Sequence, residues 1–408
     1  MRVLQLATSI SGGAGIAARR LNSSLNKVGI ESQLVTAEKA PKNSSLNEIF
    51  LPRSSFSRII SSASTLAQSR VVQSGRELVT SISQNNLDLE IDLFGKAEII
   101  HIHAFYNLIN VETIAKIVHL GLPVFFTLHD QRLFTGGCHY SLECAGFKNA
   151  CKKCPQVRSI FHPLVSSAFK KQLILLSNHK NIHLISPSEW MQGLSIESVA
   201  LQGKKLSVVR NPIPGIFGEF KPSVERQRLG IKKSQFVIGF SSVNLNNPYK
   251  GLMNLIAALN KIMRSKMRTD FLVIFIGSGE LYGIDSKISF RKIEVKLDEE
   301  MARLLSVVDL LLVPSTQDNS PSVIGEALMS GTQVAGSRAG GIPELLEQFN
   351  GPMFDPEDVD AIAEIIANFD VNYNREVLRE KSLSIFSESI AGEKMKKLYR
   401  DALESNIY

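Results

Sequence analysis

The sequence predicts an α/β protein with two domains, each built around a parallel β-sheet. Three observations support this prediction. Short apolar runs of strand length alternate with amphipathic, helix-like runs almost throughout the chain, and this alternation is typical of parallel sheets covered by helices. The 408 residues suit two or three domains of ordinary size. Two prolines within residues 210–215 interrupt the alternation, which indicates a domain boundary there.

The predicted strands are short runs rich in Val, Ile, Leu and Phe, the side chains that suit a buried parallel sheet. They are residues 3–7, 32–36, 99–103, 124–128, 183–186, 206–209, 237–241, 271–276, 310–314 and 333–336. We assign residues 1–205 to an N-terminal domain and residues 206–375 to a C-terminal domain. Residues 376–408 read as a charged helical tail that could pack back on the first domain.

The composition is that of a soluble globular protein, with 44% hydrophobic and 21% charged residues. No apolar run approaches the roughly 20 residues that a membrane-spanning helix needs. The N-terminus reads as a buried strand, since it lacks the apolar core and cleavage site of a signal peptide. We therefore expect a cytoplasmic protein.

Positive charge is concentrated in the N-terminal half of a chain whose net charge is +7. No acidic residue occurs between Glu143 and Glu189, for example. Nucleic acid is the least favoured partner, because no nucleic-acid motif is present and aromatic residues are not interleaved with the basic ones. Segment 55–75 mixes apolar residues and arginines at loosely helical spacing. This pattern suits peripheral binding to an anionic surface, such as the inner face of the membrane. An ordinary solvated surface explains the charge equally well.

Two carboxylates, Asp318 and Glu326, flank a polar turn and the start of a predicted helix. Backbone amides at a helix N-terminus bind phosphate groups well. Ionised carboxylates only accept hydrogen bonds, so they suit the many hydroxyl donors of a sugar. This segment therefore predicts a ligand that carries both phosphates and hydroxyls, as a nucleotide sugar does.

Two loops that each follow a predicted strand add to this candidate site. Gly12 and Gly13 follow the first strand, where glycine permits a close approach of backbone to ligand. Lys250 precedes a predicted helix, where its ammonium could complement a diphosphate. Taken alone, each feature has a simpler interpretation, a tight turn for the glycines and a surface position for the lysine.

Several motifs occur in the same order as in a known family. They are the Gly12-Gly13 loop, T-L-H-D at 127–130, R-N-P at 210–212, Lys250-Gly251, G-S-G at 277–279, the carboxylates Asp318 and Glu326, and Gly340-Gly341. Together they resemble retaining glycosyltransferases of family 4, which have the GT-B fold of two Rossmann-like domains facing across a cleft. The motifs F-T-G-G-C-H-Y and D-N-x-P-S are similar to those of bacterial surface polysaccharide enzymes.

The resemblance implies transfer of a sugar from a nucleotide donor, a UDP- or GDP-sugar, to a lipid-linked or oligosaccharide acceptor in polysaccharide biosynthesis. It implies no catalytic metal, because enzymes of this family generally work without one. Two alternatives stay open. One is a nucleotide-sugar epimerase or phosphorylase on the same fold. The other is a catalytically inactive homologue that only binds the nucleotide sugar.

The resemblance also implies individual roles. The donor-binding residues would be Gly12, Gly13, Asn244, Lys250, Ser322, Val323, Ile324 and Glu326. Among these, Glu326 would bind the ribose, and the amides of Ser322, Val323 and Ile324 would lie near the diphosphate. The catalytic residues would be His129 beside the anomeric carbon, Asp318 facing the sugar hydroxyls and Lys250 at the leaving phosphate.

Two positions depart from the family pattern. Asp318 stands where glutamate is usual, and Asn244 stands where an arginine is usual. Arg338 could supply the missing positive charge. His101 and His103 alternate on a predicted strand, so they are either close to the site or buried for structural reasons.

All four cysteines of the chain lie within 17 residues, in a cysteine-rich loop at residues 136–156. They are Cys138, Cys144, Cys151 and Cys154. In a cytoplasmic protein the closely spaced pair of Cys151 and Cys154 favours zinc over disulfides. We therefore expect a structural zinc ion held by four thiolates, with reduced thiols or a redox pair as the alternative.

Overall fold

The computed structural model describes residues 1–40, 45–51, 94–106 and 108–405. The chain forms two compact units, Met1–Arg210 with Ala391–Tyr408, and Asn211–Ile390. The basic segment 55–75 discussed above lies outside the described residues.

Within its described residues, the first unit contains a sheet of seven parallel strands in the order β3-β2-β1-β4-β5-β6-β7. These strands are β1 Arg2–Ala7, β2 Glu31–Thr36, β3 Glu48–Phe50, β4 Ile99–Ala104, β5 Val124–Thr127, β6 Ile182–Ser186 and β7 Leu206–Val208. The helices in the described part of this unit, before residue 210, are α1 Gly12–Lys27, α2 Val111–Val118, α3 His162–Asn178 and α4 Glu189–Ile196. Strands β1, β4, β5 and β6 are buried on both faces, which is why they read as nearly continuous apolar runs.

The second unit contains a parallel sheet in the order β10-β9-β8-β11-β12-β13. These strands are β8 Phe236–Asn244, β9 Phe271–Ser278, β10 Ser289–Ile293, β11 Leu310–Val313, β12 Gln333–Ser337 and β13 Met353–Phe354. The helices are α5 Pro222–Arg228, α6 Leu252–Ser265, α7 Asp298–Val307, α8 Ser322–Met329, α9 Ile342–Leu346, α10 Val359–Asn368 and α11 Arg375–Phe386. The prediction of two parallel-sheet α/β domains is confirmed.

The last helix, α12 Glu388–Ser405, packs mainly in the first unit. Its Tyr399 is fully buried and contacts the ring of Phe125 on β5, with 4.8 Å between ring centroids. Residues 376–390 belong to the second unit instead of to a separate tail, because Phe386 packs in its core and its carbonyl accepts a hydrogen bond from the Ile213 amide (2.8 Å). Strand β7, which we had placed at the start of the second domain, completes the first sheet.

Each sheet has one point where the strand order reverses, between β1 and β4 in the first unit and between β8 and β11 in the second. Ligands of open parallel sheets bind beside such points, at the carboxyl ends of the strands. In the first unit the Thr8 hydroxyl joins these ends, because its single proton lies within reach of two carbonyl oxygens, those of Ala104 (3.1 Å) and Tyr106 (2.5 Å).

The amino end of the second sheet is held by a buried ion-pair network around Asp309, which directly precedes β11. Its carboxylate accepts from the guanidinium groups of Arg226 (2.6 Å) and Arg375 (2.8 Å) and from the amide of Val237 (2.8 Å). A buried carboxylate is tolerated when it is paired and hydrogen-bonded in this way. This network joins the amino ends of β8 and β11, so it stabilises the sheet at the edge opposite their carboxyl ends.

Across the described part of the chain, no helix combines the length and the apolar character required to span a membrane.

Candidate functional site

In the second unit, Lys250 and Asp318 meet at the carboxyl ends of β8 and β11. The Lys250 ammonium donates to a carboxylate oxygen of Asp318 at 2.6 Å, and only 8% of the Asp318 side chain is exposed. The Lys250 side chain keeps 28% of its surface exposed. The two predicted catalytic residues of this unit are therefore direct partners, and Asp318 orients the ammonium group of Lys250.

Two glycines allow the loops around this ion pair to pack closely. Gly340 has a φ of +61°, and a Cβ there would lie 1.7 Å from the carbonyl oxygen of Asp318. The next amide, that of Gly341, donates to this same oxygen at 3.0 Å. Gly251 has a φ of +71°, and its Cβ would lie 1.9 Å from the carbonyl oxygen of Pro314. Only glycine fits either position, because both the conformation and the space exclude a side chain.

Helix α8 begins four residues after Asp318 and carries Glu326, which is buried. Of the three amides that we predicted near the diphosphate, that of Ile324 donates to the Pro321 carbonyl at 3.1 Å, so it is already used within the chain. The amides of Ser322 and Val323 belong to the first turn, where N–H groups have no carbonyl partner inside the helix.

Asn244, predicted to bind the donor, lies at the end of β8. Its side-chain oxygen accepts from the amide of Asn246 at 3.0 Å, so the structure uses it to hold the turn before Lys250. Arg338 follows β12 with an exposed side chain, while its backbone amide donates to the Phe354 carbonyl at 2.8 Å.

In the first unit, the Gly12-Gly13 loop is the first turn of α1. Gly12 needs glycine because its φ is +71°, but a Cβ at Gly12 or Gly13 would meet no atom within 4 Å. The closely packed glycine is Gly15, whose Cβ would lie 2.4 Å from the Ser9 carbonyl oxygen. The sequence pattern did not distinguish Gly15 from its neighbours.

His129 follows β5 and is linked to β4 through His103. The Nε2 atom of His129 lies 3.1 Å from Nδ1 of His103, and Nε2 of His103 lies 2.7 Å from Oε1 of Gln5. His101 has separate partners, the hydroxyls of Tyr399 (2.6 Å) and Thr127 (2.8 Å). Sequence reasoning noted the alternating histidines but missed Gln5, since a glutamine in an apolar strand carries no motif.

Burial keeps these histidines neutral near pH 7. It lowers the pKa of His129 to about 4 and that of His101 to about 3, and it lowers the pKa of His103 well below its usual value. Burial alone would raise the pKa of Asp130, but the neighbouring Arg132 and His139 lower it below its usual value.

A small pocket opens next to His129, within the first unit. Its lining includes His103, Tyr106, Thr127, Asp130 and Arg132 besides His129 itself. The Arg132 guanidinium pairs with the Asp130 carboxylate and lies over the Tyr106 ring, 4.5 Å from its centroid. The pocket thus combines neutral imidazoles with one compensated ion pair.

In the cysteine-rich loop the side chains of Cys138, Cys151 and Cys154 are buried, and that of Cys144 is half-buried. The sulfur of Cys151 accepts from the amide of Gly136, and that of Cys144 from the amide of Gly146, both at 3.3 Å. Burial raises the pKa of the Cys151 thiol to about 12. Among the described side chains, no three or more of His, Cys, Asp and Glu are arranged to hold a metal ion.

Comparison with known proteins connects the second unit to an enzyme family. Residues 235–369 match the model of the family described as "Glycosyl transferases group 1". This segment contains Lys250 and Asp318, which meet at the carboxyl ends of β8 and β11, and Glu326 on α8.

A solved structure, Anabaena HepE in complex with UDP-glucose, matches with a TM-score of 0.63 and 16% identity over 98% of this chain and 100% of that one. The chain has the GT-B fold. At this level of identity the likeness establishes the fold alone.

Two curated relatives match over part of their length. The D-inositol 3-phosphate glycosyltransferase of Segniliparus rotundus is 29% identical over 173 residues, which cover 38% of this chain and 37% of that protein. The putative colanic acid biosynthesis glycosyl transferase WcaC of Escherichia coli K12 is 22% identical over 279 residues, covering 64% of this chain and 65% of the relative. The matches thus span less than two thirds of either relative.

Proposed function

We propose that this protein is a retaining glycosyltransferase that uses a nucleotide sugar as donor, and that its second unit binds the donor. The observation that carries the proposal is the Lys250–Asp318 pair at the switch point of the second sheet, 2.6 Å apart. It lies inside the segment that matches the glycosyltransferase family, residues 235–369.

The chemistry of glycosyl transfer suits these groups. Cleavage of the bond between the sugar and the diphosphate develops negative charge on the leaving phosphate. Lys250 has three N–H donors, of which one meets Asp318, so others can meet the phosphate. The amides of Ser322 and Val323 at the start of α8 add donors and the positive end of a helix dipole. Groups already aimed at a developing charge lower the barrier most effectively.

Glu326 would bind the ribose hydroxyls. It is buried on α8, and a buried carboxylate accepts strong, charge-assisted hydrogen bonds from hydroxyl groups. The sugar hydroxyls would be contacted by Asp318, whose carboxylate has acceptor sites besides the one that Lys250 occupies. Asp318 would then have two tasks, orienting the lysine and reading the sugar.

The donor is proposed to be a UDP- or GDP-sugar, and the acceptor a lipid-linked oligosaccharide of polysaccharide biosynthesis. The choice of donor is supported by the UDP-glucose complex of HepE. The choice of acceptor is supported by the name of the Escherichia coli relative. We assign acceptor binding to the first unit and propose that the protein works at the inner face of the membrane. The basic excess of its N-terminal half supports attraction to an anionic surface.

Two experiments separate this function from its alternatives. An epimerase converts the nucleotide sugar without any acceptor, whereas a transferase with donor alone gives at most slow hydrolysis, so product analysis with donor alone distinguishes them. An inactive homologue would bind a nucleotide sugar without turnover. Screening UDP-, GDP- and ADP-sugars by thermal stabilisation identifies the donor first, because a ligand of the folded state raises the melting temperature.

The decisive variant is Glu326→Ala. Losing charge-assisted hydrogen bonds to the ribose, each worth about 1.5–3 kcal/mol, should reduce transfer at least about a hundredfold. Glu364→Ala on α10 is the matched control, since Glu364 is an exposed helical glutamate. The proposal fails if Glu326→Ala retains activity within a few-fold of the control.

We also propose that Cys138, Cys144, Cys151 and Cys154 hold a structural zinc ion. Support comes from their confinement to one short loop and from the amide donors at the sulfurs of Cys144 and Cys151, which suit thiolate ligands. The side chains would have to turn toward one another on binding. Metal analysis of the purified protein should find about one zinc per chain, lost in the Cys151→Ser/Cys154→Ser double variant. A content well below one equivalent contradicts the site.

A further inference from the structure

A chain of buried and partly buried hydrogen bonds runs through the first unit to His129. It starts at the backbone carbonyl of Asn47, which accepts from the side-chain amide nitrogen of Asn22 at 3.1 Å. The Asn22 oxygen accepts from Nε2 of Gln5 at 3.1 Å, and Nε2 of Gln5 also meets the Ser32 hydroxyl at 2.8 Å. From Gln5 the chain continues through His103 to His129.

The backbone carbonyl at the start gives this chain a fixed direction. A carbonyl can only accept, so the Asn22 group that faces it must be the NH₂ end, and the Asn22 oxygen must face Gln5. That oxygen in turn requires the NH₂ end of Gln5. The Gln5 oxygen therefore faces His103 as an acceptor. The orientation of both amides follows from the hydrogen-bond network, which is the physical basis for assigning such groups.

The orientation of the Gln5 amide then determines which nitrogens of His103 and His129 donate and which accept. Nε2 of His103 must carry a proton, because its partner 2.7 Å away is the Gln5 oxygen. In a neutral imidazole only one nitrogen is protonated, so Nδ1 of His103 is an acceptor. Its partner 3.1 Å away, Nε2 of His129, must then be the donor. The remaining nitrogen of His129, Nδ1, is left as an acceptor.

We propose that Gln5 and His103 are positioning residues that hold His129 as the neutral tautomer with its proton on Nε2 and its acceptor on Nδ1. Burial supports this, since Gln5 is fully buried and His103 is 5% exposed. His101 stacks on His103, with 4.2 Å between ring centroids, but its hydrogen bonds go to Tyr399 and Thr127 instead. His101 thus packs beside the chain without belonging to it.

The tautomer decides which kind of group Nδ1 of His129 can bind, because an unprotonated nitrogen accepts a hydrogen bond and cannot donate one. A neutral imidazole with Nδ1 unprotonated accepts a hydrogen bond from a hydroxyl, and it offers no positive charge to a phosphate. If the proposed function holds, that hydroxyl belongs to a sugar or to the acceptor. The pocket would then select a neutral hydroxylated group, while phosphate binding is left to the second unit.

The test is nitrogen NMR of the protein labelled with ¹⁵N-histidine, recorded without any sugar so that it does not depend on the enzymatic function. The protonated and unprotonated nitrogens of a neutral imidazole have well separated shifts, and the His129→Gln variant assigns the His129 signals. We expect His129 to be protonated on Nε2 alone at pH 7. A signal showing Nδ1 protonated, or a mixture of both tautomers, would overturn the proposal.

Two variants test the direction of the chain. In Gln5→Met the acceptor for Nε2 of His103 is gone, so His103 can donate from Nδ1 and the Nδ1-protonated form of His129 should appear. In Asn22→Asp an acceptor oxygen still faces Gln5, so the wild-type tautomer should persist. Unchanged signals in a folded Gln5→Met protein contradict a positioning role for Gln5. If Gln5→Met does not fold, loss of the tautomer in Asn22→Asp contradicts the assigned direction.

Discussion

The two units have the same arrangement of strands around their switch points but different chemistry at the carboxyl ends. In the first unit the residues there include neutral imidazoles, His103 and His129, beside the compensated ion pair of Asp130 and Arg132. In the second unit they are an ammonium and a carboxylate, Lys250 and Asp318, beside the start of α8. Because the sheets reverse at equivalent strands, the difference comes from the side chains and not from the topology.

This difference shows how one kind of sheet can present two kinds of surface. Neutral, tautomer-fixed imidazoles suit hydroxyl groups, whereas an oriented ammonium and helix amides suit phosphates. A glycosyltransferase needs both, since its donor carries a diphosphate and its sugar and acceptor carry hydroxyls. Topology therefore indicates where ligands bind, and the residues at each strand end indicate which part of the ligand they meet.

The largest expected effect is a loss of stability of the first unit in acid. The unfolded chain protonates His129 near the usual pKa of 6.5, but the folded protein binds that proton only near pH 4. Stability is therefore highest above pH 6.5 and decreases as the pH falls toward 4, by about 3 kcal/mol for His129 alone. Asp130, the charged group that acts on His129, opposes this shift but does not cancel it. His101 and His103 shift in the same direction and should increase the loss.

Trp190 makes this measurement specific to the first unit. It is the only tryptophan of the chain and packs against the core of that unit from α4, so its fluorescence during urea unfolding reports on that unit. The urea concentration at the midpoint of unfolding should fall steadily from pH 7 to 5.5 and 4.5. In His129→Gln this midpoint should depend less on pH. His162→Gln, at the partly exposed start of α3, is the control. A dependence that His129→Gln leaves unchanged would contradict the assignment.

The sequence predicted the inner strands of both sheets because buried parallel strands carry a strong local signal, whereas the edge strands β3, β10 and β13 were not predicted. Apolar runs such as those of β5 and β11 are continuous, and the loops that follow them hold His129 and Asp318. It also predicted that Lys250 follows a strand and precedes a helix, and that a helix begins between Asp318 and Glu326. These inferences need only local patterns and the order of elements.

Contacts between residues that are far apart in the sequence could not be predicted from local patterns. Lys250 and Asp318 were assigned separate roles, but they are 68 positions apart in the chain and form one ion pair. Likewise Gln5 and His103 are 98 positions apart, and only the pairing of β1 with β4 brings them together. Spacing along a chain does not reveal which side chains share a hydrogen bond after folding.

A smaller effect sharpens the chemistry of the second unit. If Asp318 orients Lys250, then the effects of Lys250→Met and Asp318→Asn on the free energy of donor binding should not be additive. Each variant should reduce the free energy of donor binding. The reduction in the double variant should be smaller than the sum of the two single reductions, and the difference, the coupling energy, should be about 1–3 kcal/mol. Affinity for the nucleotide sugar, measured by calorimetry on the three variants and the wild type, gives this coupling directly.

The exposed pair of Lys261 and Asp360 supplies the matched control. Its ammonium–carboxylate distance is 2.5 Å, but both side chains are substantially exposed, at 42% and 70%. The pair joins α6 to α10, so Lys261→Met and Asp360→Asn should leave donor affinity unchanged. Both variants should also fold, because an exposed ion pair contributes at most about 1 kcal/mol to stability. Asp318→Glu keeps a carboxylate that can face Lys250, so it should retain most of the coupling. Additive effects of Lys250→Met and Asp318→Asn would mean that the two residues act on the donor independently, despite their contact.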